Sequence, residues 1–86
     1  MAEDHSIPVK APISGVFYRA SAPEQPAFVE VGSVVKKGQT LCLLETMKVF
    51  TKIKSPIDGT VVEILGKDET PVGKNEILFY LSAQKA

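Results

Sequence analysis

The chain has 86 residues, 44% apolar and 23% charged, which suits one small globular domain and not a disordered segment. Ten Lys and Arg balance ten Asp and Glu, so there is no basic field to hold nucleic acid or an anionic membrane. No apolar run is long enough to cross a membrane as a helix, and one cysteine, Cys42, cannot close an internal disulfide.

Residues 1–6, Met1-Ala2-Glu3-Asp4-His5-Ser6, read as an acidic, flexible tail without the basic and apolar regions of a secretion signal. Beyond it, short β-branched stretches punctuated by Pro and Gly predict strands and not helices. The expected strands are 7–10 and 15–18 around a turn at 11–15, then shorter ones at 28–31 and 34–36. Next come 40–45 and 49–54, followed by 60–65 after a turn at 55–59. Turns at 66–71 and 73–76 lead to a last strand at 77–82, and 83–86 read as a fraying end, so 7–82 forms the domain. In Leu41-Cys42-Leu43-Leu44 the cysteine reads as a buried core residue and not as a nucleophile. His5 is isolated in the tail, which predicts no metal site, and Asp68-Glu69 read as solvated turn charges.

An internal repeat organises these segments. Ala11-Pro12-Ile13-Ser14-Gly15-Val16 recurs 44 residues later as Ser55-Pro56-Ile57-Asp58-Gly59-Thr60. Val35-Lys36-Lys37-Gly38-Gln39-Thr40-Leu41 aligns 37 residues later with Val72-Gly73-Lys74-Asn75-Glu76-Ile77-Leu78. The second alignment sets Gly38 opposite Asn75, two residue types that tolerate left-handed backbone. Either half alone would expose an apolar face, so the pair predicts an all-β, pseudo-twofold barrel or sandwich. The offsets differ by seven, so the first half carries about seven extra residues between Val16 and Val35. Ala20-Ser21-Ala22-Pro23-Glu24-Gln25-Pro26-Ala27 fits them as a loop protruding from one half, where scaffolds tend to carry function.

Segments 40–45 and 49–54 are joined through Met47-Lys48. A two-residue hairpin loop favours Asn-Gly, because both central residues take positive φ. Local sequence and implied geometry therefore disagree at this tip, and such disagreements concentrate at functional sites. Lys48 is either an ordinary solvated lysine or an amine presented for modification.

Glu45-Thr46-Met47-Lys48 resembles the Glu-Ala-Met-Lys biotinylation motif of biotin carboxyl carrier proteins. The similarity extends through Gly15-Val16-Phe17-Tyr18-Arg19, Ala27-Phe28-Val29-Glu30-Val31-Gly32, Gly38-Gln39-Thr40-Leu41-Cys42 and Ser55-Pro56-Ile57-Asp58-Gly59-Thr60-Val61, covering residues 7–81. The resemblance implies a flattened barrel-sandwich of two four-stranded antiparallel sheets with biotin covalently attached to Lys48. It also implies that Met47 is read by a biotin protein ligase, that Glu45 marks the site, and that the loop at 20–27 is a protruding thumb. Thr46 stands where the family usually has Ala, and Val49 where it commonly has Met. Ala20 replaces a Thr able to hydrogen-bond the biotin ureido ring, leaving Ser21, Ala22 and Pro23 as the adjoining thumb positions.

The implied role is that of a carrier, not itself catalytic, in a biotin-dependent carboxylase, with acetyl-CoA carboxylase as the leading candidate. Lys48 would carry CO2 as carboxybiotin from a biotin carboxylase to a carboxyltransferase, for malonyl-CoA formation and fatty acid synthesis. The expected location is cytoplasmic, with neither nucleic acid nor membrane as partner. One alternative is a lipoyl carrier domain, which shares the fold and the hairpin lysine but typically has Asp or Val before it. The other is an unmodified, biotinyl-like interaction domain.

Overall fold

In the computed structural model, which describes residues 6–22 and 24–83, apolar side chains alternate inward along short segments to give eight strands. They are β1 (Ser6–Lys10), β2 (Gly15–Tyr18), β3 (Val34–Val35), β4 (Thr40–Thr46), β5 (Val49–Lys54), β6 (Gly59–Ile64), β7 (Thr70–Val72) and β8 (Ile77–Ala83). These form two four-stranded antiparallel sheets, ordered β1-β8-β6-β3 and β5-β4-β2-β7, packed as a flattened barrel-sandwich. No helix among the described residues is long and apolar enough to cross a membrane. Of the ends expected at 1–6 and 83–86, Ser6 and Ala83 instead pair within β1 and β8, and 1–5 and 84–86, with Pro23 of the thumb, lie outside the described residues.

Two internal segments also differ from the sequence reading. No strand forms at 28–31, because its polar backbone groups are used locally. Phe28 N donates to Arg19 O at 2.8 Å, and Glu30 N donates to Ser33 Oγ at 2.9 Å. Conversely, the turn expected at 66–71 ends early, and β7 begins at Thr70, pairing with Phe17. Pro71 is tolerated there because β7 is an edge strand, with one side free of ladder bonds.

The repeat is a pseudo-twofold at the level of single atoms. Val9 and Ile53, Ala11 and Ser55, and Phe17 and Val61 are buried equivalents at the first offset. Val35 and Val72, Leu41 and Leu78, Cys42 and Phe79, and Leu44 and Leu81 are buried equivalents at the second. Ser55 is the polar member, and its hydroxyl donates to Ile57 O at 2.6 Å. Burial pushes the Cys42 thiol up to about 12, so it stays protonated as a core side chain.

The halves hold each other through matched backbone bonds. Gly38 N donates to Ser55 O at 2.8 Å, and Ser55 N donates to Gln39 O at 2.8 Å. In the twofold-related place Asn75 N donates to Ala11 O at 2.7 Å, and Ala11 N donates to Glu76 O at 2.9 Å. Gly38 (φ 89°) and Asn75 (φ 73°) both take the left-handed conformation expected of them. Even the side chains that brace these turns correspond. Gln39 Oε1 accepts from Lys36 N at 3.0 Å, and Glu76 Oε1 accepts from Gly73 N at 2.8 Å.

The same correspondence bounds the insertion. Glu69 N donates to Phe17 O and Gly32 N to Val61 O, which are equivalent bonds on either side of the axis. Ser33 N to Glu30 O matches Thr70 N to Lys67 O, so the seven extra residues fall between Phe17 and Glu30. The loop closes on itself, with Ala20 bridging antiparallel to Ala27.

At the β4–β5 tip, Thr46 pairs with Val49, leaving Met47 (φ 49°) and Lys48 (φ 70°) as a left-handed two-residue turn. Neither residue is suited to that conformation, which costs on the order of 1 kcal/mol each. Replacing both (Met47→Asn with Lys48→Gly) should therefore raise the unfolding free energy by about 1 kcal/mol, read by thermal denaturation. A lower midpoint would show that tertiary contacts, and not turn chemistry, set the tip. Gly59 tests the crossing of the halves, since a Cβ there would meet the Ser82 carbonyl oxygen inside contact distance. Gly59→Ala should lower stability in urea by about 1–3 kcal/mol. A Cβ at Gly73 meets nothing nearer than Glu76 Oε1 at 4.0 Å, so Gly73→Ala should shift it by under ~0.5 kcal/mol.

Candidate functional site

Alternation along β4 decides what surrounds the tip. Cys42 and Leu44 point into the core, so Leu43 and Glu45 face outward, opposite Lys52 and Phe50 of β5. Beyond them the chain leaves the core: Glu45 and Thr46 are half-buried, and Met47, Lys48 and Val49 are exposed. Met47 is 94% exposed, Val49 59% and Phe50 56%, so the lysine is flanked by apolar side chains in water. A turn under no constraint but solubility would carry polar residues there.

One hydrogen bond braces the base of the tip. Tyr18, on the outer face of β2, donates its hydroxyl to Glu45 Oε1 at 2.9 Å. The Tyr18 and Phe50 rings lie 5.7 Å apart at 59°, spanning β4 from the strand on either side. The bond to the Glu45 carboxylate raises the Tyr18 phenol above its ordinary value, so the hydroxyl remains a donor at neutral pH.

The thumb stands over the same face. Between them is a cavity of about 330 Å³, floored by Tyr18, Leu43 and Phe50 and roofed by Ala20, Ser21, Ala22 and Ala27. Arg19, Glu30, Asp68 and Glu69 supply its charged walls. Arg19 anchors the thumb at its root. Its N donates to Asp68 Oδ1 at 2.9 Å, and its guanidinium lies 3.6 Å from Glu30 Oε1. Asp68, read from sequence as a solvated turn charge, is thus a backbone cap for the thumb.

Of the residues singled out by sequence, Lys48, Met47 and Val49 share the tip, with Glu45 and Thr46 just beneath it. Ala20, Ser21 and Ala22 are on the thumb, apart from the tip in sequence. Phe50 links the two groups, since it is two residues from Lys48 and also lines the cavity. Sequence reasoning missed Phe50, Tyr18 and Leu43. The signal for them was available in the outward phase of β2, β4 and β5, once the buried partners had been assigned. Among the described residues, no three His, Cys, Asp or Glu side chains group as a metal site requires.

Comparison with known proteins agrees with this geometry. The sequence model of the biotin/lipoyl family, described as "Biotin-requiring enzyme", matches residues 7–81. The chain is 45% identical over 74 residues to the biotin carboxyl carrier protein of acetyl-CoA carboxylase, chloroplastic, of Glycine max, covering 86% of this chain and 28% of that protein. It is 48% identical over 71 residues to the corresponding carrier 1 of Arabidopsis thaliana, covering 83% and 25%. With that of Nostoc sp. it shares 44% over 70 residues, covering 81% and 38%. The chain therefore spans between a quarter and two-fifths of the length of these relatives. In fold it is similar to a single-chain, multi-domain long-chain acyl-CoA carboxylase, with TM-score 0.79, 18% identity, and coverage of 94% of this chain and 8% of that one. Matched through both halves of the repeat and across the Lys48 hairpin, the chain belongs to the biotin/lipoyl family of biotin-requiring enzymes.

Proposed function

We propose that this chain is the biotin carboxyl carrier domain of a biotin-dependent carboxylase of the acetyl-CoA carboxylase type, with biotin in amide linkage to Lys48 Nζ. One observation carries the reading: an exposed lysine with left-handed backbone stands at the two-residue turn between β4 and β5, flanked by Met47 and Val49. The site fits the group, because the exposed tip leaves the amine accessible to a modifying enzyme and the arm clear of the core. When bound, biotin supplies a ureido nitrogen that takes up and gives up a carboxyl group.

The chain's own residues present and tether. Lys48 supplies a flexible stem whose charge disappears on acylation. Met47, Glu45, Thr46 and Val49 form the surface read by a biotin protein ligase. Tethering lets one carried group meet two active sites at high effective concentration, without diffusing free. Those sites belong to a biotin carboxylase and a carboxyltransferase; the carrier performs no catalysis of its own. Acetyl-CoA is the proposed acceptor, giving malonyl-CoA for fatty acid synthesis, in keeping with the names of the relatives. We assign the chain to the cytoplasm, where the unpaired Cys42 stays reduced; the plant relatives are named as chloroplastic.

The thumb would cover the biotin ring between visits. Ala20 offers no hydroxyl, so Ser21 is the donor available on the exposed arm of the loop, with Ala22 beside it. In support, the cavity beneath the thumb shares Phe50 with the hairpin.

Intact mass after expression with biotin, biotin ligase and lipoate all available should rise by one biotinyl group, and Lys48→Arg should abolish the gain. A lipoyl-sized addition would make this a lipoyl carrier, and none would leave an interaction domain. For the thumb, the amide NMR shifts of Ala20, Ser21 and Ala22 should change between the unmodified and biotinylated chain. Unchanged shifts would separate the thumb from biotin.

A further inference from the structure

Glu45 lies on the outer face of β4, three residues before the lysine, in a place where a long acidic side chain in water would sample many rotamers. Three contacts narrow that freedom. Phe50 sits directly across the β4–β5 pair from Glu45. Tyr18 is diagonal to it on β2, since Val16 pairs with Glu45 and Tyr18 with Leu43, a separation that an aromatic side chain can bridge. The Tyr18 hydroxyl completes the bridge to Oε1 at 2.9 Å, while its ring packs against Phe50. Gly15 sets the spacing of the two strands at this point, because a Cβ there would come within 2.8 Å of Glu45 O and of Thr46 Cγ2.

We infer that Tyr18 is a positioning residue for modification of Lys48, holding the Glu45 carboxylate in the orientation that the biotin ligase reads. The inference rests on the reading of Lys48 as the biotinylated residue. A carboxylate accepts through two oxygens. Tyr18 engages one of them, which orients the other toward a donor on the ligase surface that docks over Met47 and Val49. Without the hydroxyl, Glu45 must be ordered at the moment of docking, and the loss falls on binding and not on the chemical step.

The test is biotinylation of the whole unmodified chain by a biotin ligase with biotin and ATP, comparing the native protein, Tyr18→Phe, Glu45→Gln and the double variant. Tyr18→Phe keeps the ring against Phe50 and should raise the KM for the chain about fivefold, the net size of one ordinary hydrogen bond. Its kcat and thermal midpoint should stay near native. Glu45→Gln should raise KM at least as far, and the double variant should be no worse than Glu45→Gln alone. A native KM in Tyr18→Phe, multiplying losses in the double variant, or a fall in kcat with KM unchanged would overturn the inference. As an independent readout, the Tyr18 phenol should titrate above its ordinary value in the native chain and fall back in Glu45→Gln. Equal titration in both would remove the bond on which the inference stands. If the native chain takes no biotin at Lys48, the functional reading itself fails; if it does and Tyr18→Phe matches it throughout, the role of Tyr18 alone fails.

Discussion

The structure depends on a reciprocal clasp between its halves. Residues 36–39 of the first half hydrogen-bond the loop at Ser55 in the second, and residues 73–76 of the second do the same to the loop at Ala11 in the first. Each clasp needs one residue with left-handed backbone, which Gly38 and Asn75 supply. A chain this short buries too little surface to stabilise either half alone. Interlocking them buries one core of matched Val, Leu and Phe side chains and satisfies the loop amides at the same time.

The same packing supports the tip from below. β4 is covered on one face by the core and flanked by β5 and β2, so the left-handed Met47-Lys48 turn is imposed from below. An isolated hairpin with these turn residues would relax or fray. The sheet beneath holds this locally unfavourable turn in place, since Thr46 and Val49 stay paired on either side of it. Most of the charged surface needs no comparable account: lysines such as Lys52 and Lys54 on the edge strand β5 keep further strands from adding to the sheet.

Much of this was legible in the sequence, for identifiable reasons. Strands bounded by Pro and Gly, with β-branched interiors, were found to within a residue at most positions, because burial alternates there. The symmetry was legible because equivalent turns need equivalent backbone: Gly38 and Asn75 differ in chemistry but share a conformation. The insertion could be counted because the symmetry could. β7 was obscured by Pro71, whose missing donor matters less on an edge than composition suggests. The segment 28–31 looked like a strand because Phe28, Val29 and Val31 are strand formers, yet it is the return leg of a loop and bonds to Arg19 and Ser33. At the site, the mismatch between Met-Lys and the turn it must make left Lys48 open between a solvated and a modified lysine, and the resemblance of Glu45-Thr46-Met47-Lys48 to the biotinylation motif decided between them. The Tyr18 contact to Glu45 was not legible, because it is a diagonal pair whose existence depends on register, and register is a property of the assembled sheet.

The pseudo-twofold has a mechanical consequence as well. Under the two offsets, Thr46 and Phe50 at the base of the hairpin correspond to Ala83 and Ser6, where the described chain leaves and enters the sandwich. The axis that relates the halves therefore sets Lys48 on one side and both of those strand ends on the other. Were the sandwich to rotate about that end, Lys48, at the opposite one, would move further than the core between them.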